Sequence, residues 1–183
     1  MLGVLTVVIP YRGDAKRRLP PDLRAAAAVA MLGDVVEAAV PLGRVLVVTD
    51  DPAVVPPEAL PWPDPGEGQG AAVQAGLAAS TGPALVVNAD LPLVTTEALR
   101  RLEAAGLALV ESADGTTNAL SLPDPGVFAP LYGPGSAARY RAHAPFATLA
   151  IAELAEDVDT MADFERLAPR GGSRIRSLLA VRT

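Results

Sequence analysis

The chain has 183 residues, half of them hydrophobic, 4% aromatic and 20% charged, with no cysteine and a formal net charge of −6. That length fits one domain with a sizeable core built from Ala, Val and Leu, and the missing cysteines exclude disulfides, thiol nucleophiles and Cys–zinc sites. The acidic balance argues against nucleic acid or an anionic membrane as a partner.

Taken in chain order, short β-branched runs recur at Val4 to Ile9, Val45 to Thr49 and Ala84 to Asn88, each bounded by Pro, Gly or Asp as buried strands are. Helical spacing predicts helices over Asp22 to Val40, Gly70 to Ala79 and Thr95 to Ala105. The first half therefore reads β-α-β-α-β-α, the pattern of a parallel sheet covered by helices. The Pro-rich segment Asp50 to Gly68 reads as an exposed loop, with Trp62 packed in it. Further on, Leu107 to Glu111, Ala119 to Leu122 and Thr148 to Leu154 are candidate strands. One helix is expected to open near Gly135-Ser136 and another after Thr160. The basic tail Arg170 to Arg182 reads as frayed, and no role is assigned to it. No stretch approaches the roughly 20 apolar residues of a membrane span. The N-terminus, MLGVLTVVIPYRGDAKRRL, lacks the region order of a signal peptide, so a cytoplasmic location is the default.

Open α/β sheets bind ligands at the carboxyl ends of their strands. After the first strand, Arg12, Lys16, Arg17 and Arg18 crowd a glycine-containing loop that leads into a helix. Such a loop suits a polyphosphate, and a solvated basic loop is the plain alternative. After the third strand, Asp90 in Asn88-Ala89-Asp90-Leu91-Pro92 is placed to hold Mg²⁺ or to cap the following turn. Asp157 and Asp159, in Glu156-Asp157-Val158-Asp159-Thr160, point to one side if the segment is extended. Such neighbouring carboxylates repel unless a cation or water relieves them. Gly68 and Gly70 allow close approach to a ligand or simply give a flexible loop. Thr116-Thr117-Asn118 and Gly133-Pro134-Gly135-Ser136 read as polar turns, with Ser136 either a helix cap or an anion ligand. His143 reads as a surface or packing residue.

These pieces, in this order, resemble the guanylyltransferases of coenzyme F420 biosynthesis, which move GMP from GTP to 2-phospho-L-lactate or phosphoenolpyruvate. The resemblance is carried by Ala15 to Leu19, by Ala89-Asp90-Leu91-Pro92-Leu93 and by Gly115-Thr116-Thr117-Asn118-Ala119-Leu120. It continues in Tyr132-Gly133-Pro134-Gly135-Ser136 and in Asp157-Val158-Asp159-Thr160 followed by Asp163. It implies a GT-A-like nucleotidyltransferase domain over residues 1–183, an α/β fold with a mixed, mostly parallel sheet, and Mg²⁺ with GTP as co-substrate. It implies metal ligation by Asp90, Asp157 and Asp159, and catalytic roles for Lys16 and Asp90. Arg12, Lys16, Gly68 and Gly70 would meet the nucleotide, and Thr117, Gly133 and Ser136 the acceptor. Two positions depart from the family pattern. Gly68-Gln69-Gly70-Ala71 stands where Gly-Leu-Asn-Ala is usual, and Tyr140 stands where His is frequent. An ionised acceptor phosphate needs no general base, so a missing catalytic His or Cys is no obstacle. A sugar phosphate or molybdopterin-type acceptor, or a DxD glycosyltransferase, are the alternative readings. The small polar turns favour a small anionic acceptor, and the bacterial composition favours phosphoenolpyruvate. A homodimer is compatible with all of these.

Overall fold

The computed structural model describes residues 3–13 and 19–180. Strand β1 (Thr6–Pro10) is followed by helix α1 (Pro21–Ala39), β2 (Arg44–Thr49), β3 (Leu60–Pro63) and α2 (Gln69–Ala78). Next come β4 (Ala84–Val87), α3 (Thr96–Ala104), β5 (Ala108–Glu111) and β6 (Thr117–Leu122). The remainder comprises α4 (Ser136–His143), β7 (Ala147–Thr148), α5 (Ala152–Ala155), α6 (Met161–Leu167) and α7 (Ser173–Ala180). The strands form one sheet in the order β3-β2-β1-β4-β6-β5-β7. Strand β6 runs antiparallel to both its neighbours, and the other pairings are parallel. The expected mixed, mostly parallel sheet is therefore present.

Side-chain alternation sorts the strands onto two cores. Val7, Ile9, Leu85 and Val87 face a layer that contains α1, α3 and α5, with Val35, Leu99 and Leu154 among its buried members. Val8 and Val86 face the other way, onto Val73 and Leu77 of α2 and Tyr140 of α4. A third cluster joins Leu23, Ala27 and Met31 of α1 to Phe164, Leu167 and Ile175 of α6 and α7. Helix α1 is thus buried on two sides. That explains a composition so apolar that Pro21–Leu42 passes a length-and-hydropathy test for a membrane span. This corrects the expectation that no stretch approaches a membrane span, which Asp22, Arg24, Asp34 and Glu37 obscure by interrupting the apolar run.

Three expectations are corrected. The segment 50–68 carries edge strand β3, paired with β2 from Leu46↔Leu60 to Thr49↔Pro63. The strand expected over Thr148 to Leu154 shrinks to the two residues of β7, and α5 takes over with Leu154 buried in the first core. Thr117 and Asn118 belong to β6 rather than to a turn, and Gly115 makes the bend before them at φ +82°.

The basic tail is also ordered through Ala180. Helix α7 docks on α1, where the buried Asp34 carboxylate accepts N–H bonds from Arg174 (2.9 Å) and Ile175 (3.0 Å). A carboxylate from one helix thereby caps the N-terminus of another and satisfies two of its free amide groups. Burial pushes the Asp34 carboxyl above the ordinary carboxylate range, and those two amide bonds pull partly against it. The Gly172 N–H donates to Pro92 O at 3.0 Å, so the start of this segment also touches the loop after Asp90.

Candidate active site

The antiparallel setting of β6 decides what meets at the carboxyl edge of the sheet. Strands β1, β3, β4 and β5 end there, whereas β6 begins there. Tyr11 and Arg12 follow β1, Asp64 follows β3, and Asn88 and Asp90 follow β4. Ser112 follows β5, and Thr117 and Asn118 open β6. A cleft of about 180 Å³ runs along this edge, lined by Tyr11, Arg12, Asp64, Gln69, Asn88 and Asp90 among others.

Arg12 Nε donates to Asp64 Oδ2 at 2.9 Å, tying the β1 loop to the β3 loop across the cleft. Asp64 Oδ1 also accepts the Gly66 N–H at 2.8 Å. Burial alone would raise the Asp64 pKa, but Arg12 and the Gly66 N–H outweigh it and leave the carboxyl below its usual range. Burial raises the Tyr11 phenol, and the nearby carboxylates of Asp51 and Asp50 add to that shift. Lys16, with Arg17 and Arg18, lies outside the described residues, so of the expected triphosphate contacts Arg12 is the one whose place is described.

Gly68 stands at the N-terminus of α2 with φ +100°, a conformation that needs glycine, and a Cβ there would meet nothing within 4 Å. This leaves the backbone open to a ligand beside the free amides of α2. Gly70 has another constraint, since its Cβ would come within 2.6 Å of Pro130 Cβ. Close packing of α2 on the 130–133 segment accounts for that glycine.

Asp90, Asp157 and Asp159 converge as the sequence predicts, each offering one oxygen within 4.8 Å of the others. Two of them are half-buried and Asp159 is exposed. Their meeting has a backbone cause, because the Val158 N–H donates to Asp90 O at 3.2 Å while the Val158 side chain is fully buried in the third core. Anchoring Val158 inward turns both flanking acids the other way. Three hard oxygen donors at this separation suit a divalent cation.

Asp163 has a different task. Its Oδ2 accepts the Thr160 N–H at 2.9 Å and the Thr160 hydroxyl at 2.7 Å, while its own N–H donates to Thr160 Oγ1. This capping box starts α6 directly behind Asp159. The Thr160 hydroxyl bond, followed by the amide and Arg166 contacts, outweighs burial and holds the Asp163 carboxyl below its ordinary range. Arg166 bridges Asp163 and Glu156.

Thr117 and Ser136 are brought together, their hydroxyls 3.0 Å apart and both residues buried. Ala137 N–H donates to Gly115 O, which closes the Gly133–Ser136 turn onto the β5–β6 bend. Gly133, at φ +107°, lies on the rim of a hollow shared with Gly68, Gly70, Gln74 and Tyr132. The Arg139 guanidinium braces this turn from outside by donating to the carbonyls of Leu131, Tyr132 and Pro134. Tyr140 is fully buried among Phe128, Tyr132 and Phe146, so the residue at the position where His is frequent is a core residue here. Its hydroxyl donates to Ala129 O, and burial raises its pKa. His143 lies at the surface, with Nε2 3.0 Å from Val127 O.

Three polar residues of this edge, Ser112, Asp64 and Asn88, carry no assigned role in the sequence reading. Each directly follows a strand, which is the same signal that singled out Asp90.

Residues 23–158 match the model of the MobA-like NTP transferase domain. A phosphoenolpyruvate guanylyltransferase of Sphaerobacter thermophilus is 34% identical over 172 residues, covering 82% of this chain and 83% of that one. One of the same name from Salinispora arenicola is 37% identical over 203 residues, covering 93% and 91%. Among solved structures, a putative nucleotide-diphospho-sugar transferase from Desulfovibrio desulfuricans superposes with a TM-score of 0.71 at 13% identity, covering 98% and 95%. The 2-C-methyl-D-erythritol 4-phosphate cytidylyltransferase from Thermus thermophilus does so at 0.58 and 18%, covering 89% and 95%. The chain is a nucleotidyltransferase of the MobA-like fold, and it belongs to the phosphoenolpyruvate guanylyltransferase family.

Proposed function

We propose that this enzyme moves GMP from GTP to phosphoenolpyruvate, releasing pyrophosphate, with Mg²⁺ held by Asp90, Asp157 and Asp159. The observation that carries the reading is the convergence of those three carboxylates beside a cleft floored by the β1 and β4 loops. The names of the curated relatives supply the base and the acceptor. The product would be a guanosine diphospho-linked three-carbon acid, and the resemblance to the guanylyltransferases of coenzyme F420 biosynthesis supports a role in that pathway.

In this reading an oxygen of the acceptor phosphate attacks the α-phosphorus of GTP, and the bond to the β-phosphate oxygen breaks in line. Mg²⁺ held by Asp90, Asp157 and Asp159 would supply neutralisation of phosphate charge. The protein's own contribution is positioning. By the family resemblance Arg12 and Lys16 would meet the triphosphate, Lys16 and Asp90 would be the catalytic pair, and the backbone at Gly68, open on its Cβ side, would meet the nucleotide. The Gly133–Ser136 turn, held against Thr117, presents amide groups to the acceptor's phosphate and carboxylate. Seating two polyanions side by side recovers the entropy that a bimolecular encounter would cost.

The test is to supply GTP, Mg²⁺ and either phosphoenolpyruvate or 2-phospho-L-lactate and to measure pyrophosphate release, then to repeat with ATP and CTP. Release with GTP and phosphoenolpyruvate is the expected result. Release only with 2-phospho-L-lactate, or only with another nucleotide, would overturn the assignment.

A further inference from the structure

Two donors, one just after β5 and one on β6, converge on one oxygen of Asp157. Ser112 Oγ, directly after β5, donates to Asp157 Oδ1 at 2.9 Å. Asn118 Nδ2, from β6, reaches the same oxygen at 3.5 Å and the carbonyl of Ala155, two residues upstream, at 3.2 Å. Both residues are nearly inaccessible to solvent, at 8% and 2% exposure, so neither is available to grip a substrate along its length. The same network continues from the other end of Asn118. Asn88 Nδ2 donates to Asn118 Oδ1 at 3.3 Å, and Gln69 Nε2 donates to Asn88 Oδ1 at 2.8 Å. The side chains of Ser112, Asp157, Asn118, Asn88 and Gln69 thus form one hydrogen-bonded line from the acidic cluster to the first residue of α2, which borders the cleft.

The physical consequence follows from the shape of a carboxylate. An aspartate can rotate about χ2, and a metal ligand that rotates pays for each binding event with lost freedom. Donors fixed on β6 and at the end of β5 oppose that rotation before any cation arrives.

We propose that Ser112 and Asn118 are positioning residues that lock the rotation of the metal-binding carboxylate Asp157, with Asn88 and Gln69 extending the lock to the nucleotide cleft. The inference rests on the metal reading given above. It assigns no chemistry to these residues, since they act through Asp157.

The experiment uses the full-length protein and Mn²⁺ alone, without nucleotide, and reads the free ion by electron paramagnetic resonance. Thermal melting is recorded for every variant. Ser112→Ala is isosteric apart from one oxygen and is expected to bind Mn²⁺ about 10-fold more weakly while still melting cooperatively as a folded protein, within the range known for lost outer partners of metal ligands. Ser112→Thr, which keeps the hydroxyl, should restore native binding. Asn118→Ala should weaken Mn²⁺ binding further, and Gln69→Ala, partly exposed at the end of the line, provides a variant that does not disturb the core. A loss of affinity for Mn²⁺ in Gln69→Ala supports the extended lock. Native Mn²⁺ affinity in folded Ser112→Ala and Asn118→Ala overturns the proposal, provided Asp157→Asn binds weakly. If Asp157→Asn also binds like the native protein, the metal assignment itself is what falls.

Discussion

The backbone N–H of Val158 donates to the carbonyl oxygen of Asp90. This one bond clips together two segments 68 residues apart in the chain, and each contributes carboxylate to the same cluster. The geometry of the site is therefore set by main chain, with the side chains following from the alternation around a buried valine.

Replacing Asp159 by Asn should lower turnover by at least about 100-fold, since losing a ligand costs more than losing one of its outer partners. The melting temperature should stay level or rise, because three converging carboxylates repel one another in the absence of a cation. Pyrophosphate release and a thermal melt of the same preparation check both statements. Near-native turnover would remove Asp159 from the metal site.

Ser136→Ala breaks the buried hydroxyl pair with Thr117. Leaving a buried hydroxyl without its partner should cost about 1 kcal/mol of stability, measured by urea denaturation. The variant should raise the apparent KM for the acceptor while leaving that for GTP unchanged. An equal rise in both would argue that the turn supports the whole cleft and has no special relation to the acceptor.

Asp34→Ala removes an acceptor for two backbone amides at the start of α7. The expected loss is roughly 2–4 kcal/mol, from bonds to a charged group and the buried donors left behind. Chemical denaturation gives the value, and increased amide exchange confined to residues 173–176 would locate it.

The capping box at α6 gives a pH dependence. Asp163 has a folded pKa below its unfolded value, which is near 3.9 for Asp. The sign follows directly: its contribution is present above that unfolded value and disappears as the pH falls through the folded one. The stability difference between the native protein and Asp163→Ala should therefore be flat from about pH 6 to 8 and shrink below about pH 4. A difference that grows toward acid pH would contradict the assignment.

Much of this site was legible because it is local. A run such as Ala84–Val87 ends in polar residues, and the edge where strands end is where α/β folds bind ligands. The pairing of Asp157 with Asp159 follows from a period of two, whether or not the segment is a regular strand. Strand β3 was hidden by its own sequence, Leu60–Pro63, because two prolines normally rule out a ladder. They are tolerated here because they alternate on an edge strand, so both missing N–H groups fall on the unpaired side. The exchange of a strand for α5 before Asp157 had no local signature either, since a short apolar run fits both periods. Helix α7 was illegible for another reason: its cap lies 140 residues away on α1. Ser112 shows the limit most clearly, because one serine after one strand acquires meaning only when Asn118 and Asp157 arrive beside it.

The contact between Gly172 and Pro92 carries a consequence for how the Asp90 loop is held. The loop that bears Asp90 is gripped by Val158 on one side and by Gly172 on the other, and Asp34 locks the latter segment in place. Every strand of the sheet precedes Val158, and the match to the NTP transferase domain also ends there. The sheet can therefore assemble from residues that precede the second anchor of the Asp90 loop. The Asp90 loop gains its second anchor only when residues 172–175 dock on α1, so a chain cut before Gly172 is expected to keep its sheet and to hold that loop through Val158 alone.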